Sequence, residues 1–255
     1  MDLSVIVPSI RPQNLRRLYD SIISSTNGND FEMIVISPYP LPDDLQGKNF
    51  SLITDFGSPV RCMQLGLLKC QGKYTTWAAD DGAFTIGSLK IALDNLKEKP
   101  DNHVIIGKYY EGEGENPFMN TRKYYLINTH DGSKSKHIPK DCLMVMEGVL
   151  STSLLKEIGG WDCQFEVCPM AFLDLSIRLY RAKAVITLQD EVMFECSHLP
   201  GHDGDHGPVH DAQTGHDEPI FKGIYSQSEC SQRTKIDLNN WESSPARWKR
   251  RFGKV

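Results

Sequence analysis

Two adjacent carboxylates, Asp80 and Asp81, end the run "KYTTWAADDG" and are followed at once by Gly82. Side by side they repel, so the pair calls for a turn open to water or for a counter-ion. Carboxylate oxygens suit Mg2+ or Mn2+, above all where phosphate oxygens complete the coordination. The alternative is an Asp-Asp-Gly turn capping a helix that starts near residue 85. Asp174 lies four residues before Arg178 in an apolar run. It can serve as a general base or as half of an i,i+4 ion pair.

Five histidines, His198, His202, His206, His210 and His216, fall within nineteen residues. A spacing of four would align ligands on a helix, but Gly201, Gly204, Gly207 and Pro208 argue against one. The segment 198–217 therefore reads as a loop over the active site. Cys163, Cys168, Cys196 and His198 lack the Cys-x2-Cys spacing of a zinc set, which favours buried free thiols.

These groups need elements to hold them. Short apolar runs at 3–8, 31–37, 50–54, 73–79 and 103–107 read as strands, and the spans 11–25, 58–70 and 85–98 have helical spacing. Strands alternating with helices of this length imply βαβ units and a mostly parallel sheet, whose ligands bind beyond the carboxyl ends of the strands. Asp80 and Asp81 stand at such an end. Convincing helices follow within 141–162, where Ser151 or Thr152 can cap and Gly159 or Gly160 can stop one, and within 169–188.

With 255 residues and 40% hydrophobic content, the chain can bury the core of one large α/β domain or two small ones. A net charge of −5 gives no general reason to expect nucleic-acid binding. An odd number of scattered cysteines, seven in all, and no leader-like N-terminus lead to the expectation of a cytoplasmic protein. Residues 247–254 are basic and aromatic. They could touch anionic lipid, as a peripheral contact at the inner membrane surface, or nucleic-acid phosphates, or form a solvated disordered tail.

The order of these segments resembles the family 2 glycosyltransferases. "VIVPSIRPQNLRRLYDSI" matches their opening strand, polar loop and helix. "RCMQLGLLKCQGKYTTWAADDG" matches their Arg-x-x-Asn-x-Gly, Gly-x-Tyr and acidic segments, with Gln64 in place of Asn. "GGWD" and "DLSIRLYRAKAVI" match a third block, so the likeness spans about residues 3–190. It implies a GT-A fold: a Rossmann-like, mostly parallel central sheet flanked by helices, with a smaller acceptor-side subregion. Residues 1–108 would be the nucleotide-sugar-binding half, 109–225 the acceptor-binding and catalytic half with its His-rich loop, and 226–255 a basic tail.

The resemblance also implies roles. Pro8, Ser9 and Arg11 would meet the base and ribose of the donor, Asp55 its base, Arg61 a phosphate, and Lys222, in a lid-like "HDEPIFKGIY", another phosphate. Asp81 would bind Mn2+ or Mg2+, joined by His198, while Asp80 contacts nucleotide, ribose or metal-bound water. Two departures stand out. Ala79 occupies the first place of the usual Asp-x-Asp, and Ala171 and Phe172 stand where many members carry the catalytic Glu-Asp. The base then falls to Asp174, or to Asp162 or Glu166.

The activity so implied is a metal-dependent inverting glycosyltransferase moving a sugar from a nucleotide donor, UDP being favoured, to a hydroxyl of a glycan, a lipid-linked acceptor or another molecule. One rival is a nucleotide-sugar-binding protein that lost its base. A second, a sugar nucleotidyltransferase, is disfavoured because "PSIRPQNLRR" holds no glycine. Two opposed carboxylates, as a glycosidase needs, are not evident.

Overall fold

The computed structural model describes residues 1–45, 49–112, 125–126, 143–197, 206–226 and 232–253. Its strands are β1 Leu3–Pro8, β2 Phe31–Ser37, β3 Phe50–Thr54, β4 Tyr74–Trp77, β5 Gly82–Phe84, β6 His103–Gly112, β7 Tyr125–Leu126, β8 Leu143–Met144, β9 Gly148–Ser151 and β10 Val185–Ser197. Its α-helices are α1 Leu15–Thr26, α2 Pro59–Lys69, α3 Ser88–Lys97, α4 Thr152–Glu157, α5 Cys168–Arg181, α6 Gly207–Ala212, α7 Glu218–Ser226 and α8 Lys249–Phe252. Eight strands form one sheet in the order β3-β2-β1-β4-β9-β6-β10-β5, and β7 pairs with β8.

The β3-β2-β1-β4 half of the sheet is parallel. β9 enters antiparallel between β4 and β6, and β5 closes the far edge antiparallel to β10. The sheet thus runs unbroken through both proposed halves of the chain. Side-chain alternation explains why helices cover both faces. On β1, Leu3, Val5 and Val7 pack with α1 and α3, while Ile6 turns to the other face with Ile34, Ile36 and the residues of α2 and α5. Gly66 of α2 lets that helix sit close, since a Cβ there would fall 2.4 Å from the Ile6 side chain.

Two expectations need correction here. Asp80 and Asp81 do not cap the helix directly, because the short strand β5 lies between them and α3. Gly82 is needed on that strand: a Cβ would lie 2.1 Å from the Phe194 ring of β10. Nor is the His-rich stretch irregular after residue 206. Pro208 sits in the first turn of α6, where its missing N–H costs nothing, and a π-helical turn at Gln213–Asp217 leads into α7. His206 and His210 lie one turn apart, their rings 6.4 Å apart.

The C-terminal segment is docked on the body. Trp248 is buried, its backbone N–H donates to the Phe56 carbonyl at 2.7 Å and its indole N–H to Glu166 at 2.9 Å. The Phe252 ring meets Phe56 edge-on, and Arg250 pairs with Glu166 at 2.5 Å. The aromatic residues that the sequence offered to a membrane or a nucleic acid are therefore turned inward.

Candidate functional site

β1 and β4 are parallel neighbours, so their carboxyl ends open on the same side. The chain leaves β1 as Pro8-Ser9-Ile10-Arg11 and leaves β4 as Ala78-Ala79-Asp80-Asp81. The two segments close on each other through Asp80. One of its oxygens accepts the Ser9 hydroxyl at 3.0 Å and the backbone N–H groups of Ile10 and Arg11, both at 2.8 Å. The other takes the Arg11 guanidinium at 2.6 Å. Arg11 also reaches Asp81 at 3.5 Å, and the Cys196 thiol of β10 donates to the second Asp81 oxygen at 3.1 Å. The mutual repulsion of the two carboxylates is thus answered inside the protein, by an arginine from the neighbouring strand end.

These residues line a cavity of about 320 Å³, within the usual size of a small-molecule site. Pro8, Ser9, Arg11, Asp55, Asp80 and Asp81 all face it, so six of the expected site residues come together. Its other walls include Trp77, Phe172, Glu147, Cys168, His206 and Arg251. Trp77 and Phe172 lie ring against ring at 5.6 Å, so an apolar wall stands where the resemblance placed a pair of acids. Burial pushes the Cys168 thiol up to about 12, which keeps it neutral.

Other expected residues lie elsewhere. Arg61 is tied to Asp55 at 3.1 Å, and its other nitrogen donates to the Trp241 and Ser244 carbonyls at 2.6 and 2.9 Å. It fastens the C-terminal segment to α2. Lys222 is exposed on α7 and pairs with Glu218 at 3.3 Å. His198 lies outside the described residues. Among the described residues, no three metal-ligating side chains converge.

Asp174 and Asp162, the expected bases, sit away from the cavity in a buried network. Asp174 accepts Arg178 at 2.8 Å, the Tyr225 hydroxyl at 2.7 Å and Arg233. Arg233 continues to Asp162 at 2.8 Å, and Arg178 also donates to the Ile158 and Gly160 carbonyls at 2.8 and 2.6 Å. Burial raises the Asp174 carboxyl, but Arg178, Arg233 and Tyr225 together hold it below the usual range. The i,i+4 pairing is the use this geometry supports, with every Asp174 oxygen occupied. Glu166 is likewise engaged, by Trp248 and Arg250.

Gln64, at the position where the resemblance expects Asn, is a clip. Its amide donates to the Gly159 and Leu238 carbonyls at 2.9 and 2.7 Å, and its carbonyl accepts the Trp161 N–H at 2.8 Å.

Sequence reasoning passed over Glu147. It lies in the Val145–Glu147 connector between β8 and β9, is 4% exposed, and one carboxylate oxygen is buried without a hydrogen-bond partner. Burial alone drives its carboxyl well above the usual range. The available signal was a lone acid inside "LMVMEGVL", an otherwise apolar run.

No protein-family profile matches the chain, and no curated protein matches it either. Solved structures do. The chain aligns with Staphylococcus aureus TarS residues 1–349 at 18% identity and TM-score 0.53, covering 77% of this chain and 60% of that one. It aligns with the same protein in complex with UDP at 19% and 0.54, covering 78% and 61%. The complex with UDP-GlcNAc gives 19% and 0.52, covering 79% and 60%. The chain thus spans about three-fifths of the TarS fragment it matches. At this identity the likeness concerns the fold alone: a Rossmann-like α/β architecture with a curled eight-stranded sheet and helices on both faces.

Proposed function

We propose that this protein is a glycosyltransferase that takes a sugar from a nucleotide donor, UDP being the nucleotide, and passes it with inversion to an acceptor hydroxyl. One observation carries the reading. The Ser9–Arg11 loop and the Asp80–Asp81 pair converge at the β1 and β4 ends, in a cavity on a fold that in TarS was solved with UDP and UDP-GlcNAc. Pro8, Ser9 and Asp55, which line the cavity, would meet the nucleoside. Arg11 offers a planar guanidinium to carboxylate or phosphate oxygens. Arg61 enters only indirectly, by fixing Asp55.

The donor set around Asp81 fits Mg2+ or Mn2+. Asp81 brings carboxylate oxygens beside the Arg11 guanidinium and the Cys196 thiol, and a single carboxylate is what such a cation takes from protein when a diphosphate provides most of its shell. Asp81 would hold the ion, while Asp80 is fully committed to the Ser9–Arg11 loop. The ion would supply charge neutralisation at the departing diphosphate. The acceptor would be a glycan, a lipid-linked molecule or another hydroxyl compound, bound by the chain beyond residue 108.

The test is calorimetric titration of UDP, with and without Mn2+, on the wild type and on Asp81→Ala. Binding that strengthens with Mn2+ in the wild type alone supports the reading, whereas no binding of UDP under either condition overturns it. A second reading, a nucleotide-sugar-binding protein without turnover, draws on Ala171 and Phe172 and on the sequestered Asp174. Release of sugar from UDP-GlcNAc separates the two.

A further inference from the structure

We infer that Glu147 is the catalytic residue that accepts the proton of the attacking hydroxyl, an inference that rests on the glycosyltransferase reading above. Among the described carboxylates lining the cavity, both oxygens of Asp55, Asp80 and Asp81 carry hydrogen bonds or ion pairs. Glu147 differs: its buried oxygen has no such partner, and the side chain faces the same cavity. A buried carboxyl without a partner is costly, and such groups concentrate where a substrate will complete them.

Its placement is firm. The connector is clamped from three sides: the Gly107 N–H of β6 donates to the Glu147 carbonyl at 3.3 Å, the Trp77 indole of β4 to the Met146 carbonyl at 2.9 Å, and the Val145 N–H to the Ser176 hydroxyl of α5 at 2.9 Å. A base held this way keeps its reach without reorganising. Phe172 supplies the apolar wall, so the acid missing from α5 is matched by one arriving from the β8–β9 connector. The charged and titratable groups around the cavity are Asp80, Asp81 and Arg11 at the strand ends, Asp55 and Cys62 by α2, Tyr109 on β6, Cys168 on α5, Cys196 on β10, His206 and Arg251. Burial raises the Glu147 carboxyl above its ordinary range, which makes its carboxylate the stronger proton acceptor.

In the step, the acceptor oxygen forms a bond to the anomeric carbon as its proton passes to the Glu147 carboxylate. The bond from that carbon to the phosphate oxygen breaks, and its electron pair leaves with the nucleoside diphosphate. With water as acceptor, the product is the free sugar.

The experiment compares wild type, Glu147→Gln and Glu147→Ala for UDP affinity by calorimetry and for sugar release from UDP-GlcNAc, UDP-glucose and UDP-galactose in Mn2+. The expected result is UDP affinity within about threefold of wild type in both variants, with sugar release down by at least about 100-fold. Formate should restore part of the rate to Glu147→Ala, whose cavity can admit it, and none to Glu147→Gln. Sugar release by Glu147→Gln within tenfold of wild type overturns the role of Glu147 alone. So does a parallel loss of UDP affinity, or a wild type that binds UDP yet releases no sugar from any of the three donors. A wild type that binds no UDP overturns the underlying reading as well.

Discussion

Arg11 and Asp80 meet from positions sixty-nine residues apart, the guanidinium on one carboxylate oxygen at 2.6 Å and the Arg11 backbone N–H on the other at 2.8 Å. Both side chains are nearly buried, 9% and 5% exposed. One residue thus offsets part of the charge of the acid pair and fixes the loop that faces it.

Removing that charge should expose the repulsion. Arg11→Met is expected to lose about 3 kcal/mol of stability, because breaking a buried pair leaves the partner charges uncompensated. Added Mn2+ should then raise the melting temperature of the variant more than that of the wild type. Thermal unfolding with and without Mn2+ checks this, and an equal shift in both proteins would count against a cation at Asp81.

Asp174→Asn addresses the buried network. The substitution leaves Arg178 without a carboxylate and Arg233 with Asp162 alone, at a cost of about 3 kcal/mol. The Asp174 pKa is lowered in the folded state. Its contribution is therefore present above the ordinary unfolded value near ~3.9 and is lost as pH falls through the folded value. Melting temperature against pH should accordingly fall less steeply on the acid side in the variant. UDP binding, measured well below the melting point, should survive.

Glu147 titrates in the opposite sense. Its folded pKa is raised, so the folded state binds the extra proton, and stability declines as pH rises from the unfolded carboxylate range toward the folded value. Glu147→Gln should match the wild type near pH 4 and exceed it at pH 8. Denaturant unfolding at both pH values decides it. A variant less stable at pH 8 would assign Glu147 a structural partner instead.

Gly160 has φ +70°, and a Cβ there would lie 2.2 Å from the Gln64 carbonyl oxygen. Gly160→Ala should cost about 2–4 kcal/mol, combining left-handed strain with overpacking of the Gln64 clip. Urea unfolding reads it directly. An effect below 1 kcal/mol would mean that Gln64 can swing aside.

Much of this frame is legible in the residues. β1, β2 and β3 are short β-branched runs whose bounds agree with their apolar extent, and the resemblance groups Ser9, Arg11, Asp80 and Asp81, which the pairing of β1 with β4 brings together. Other features were hidden for physical reasons. β5 has three residues, too few for a periodic signal. Glycine and proline counts argue against a helix over 207–217, but Pro208 sits in the first turn, where its lack of an N–H is harmless. A run of arginines and lysines suggests a solvated tail, yet Trp248 among them is buried. Asp174 could be a base or a pair partner on spacing alone, and only the arrival of Tyr225 and Arg233 decides which. Glu147 is legible only once the cavity is known, since its partnerless oxygen is a property of three dimensions.

The Asp80 carboxylate has a further consequence, for observation rather than chemistry. The backbone N–H groups of Ile10 and Arg11 stand outside regular helix and strand, where loop amides commonly exchange with solvent quickly. Both are held by a side chain from a distant part of the sequence, so their hydrogen exchange reports on a long-range contact. The two amides next to this proline-bounded strand end should therefore exchange slowly together, a spectroscopic pair that signals when the strand-end cavity is assembled, with no ligand or label required.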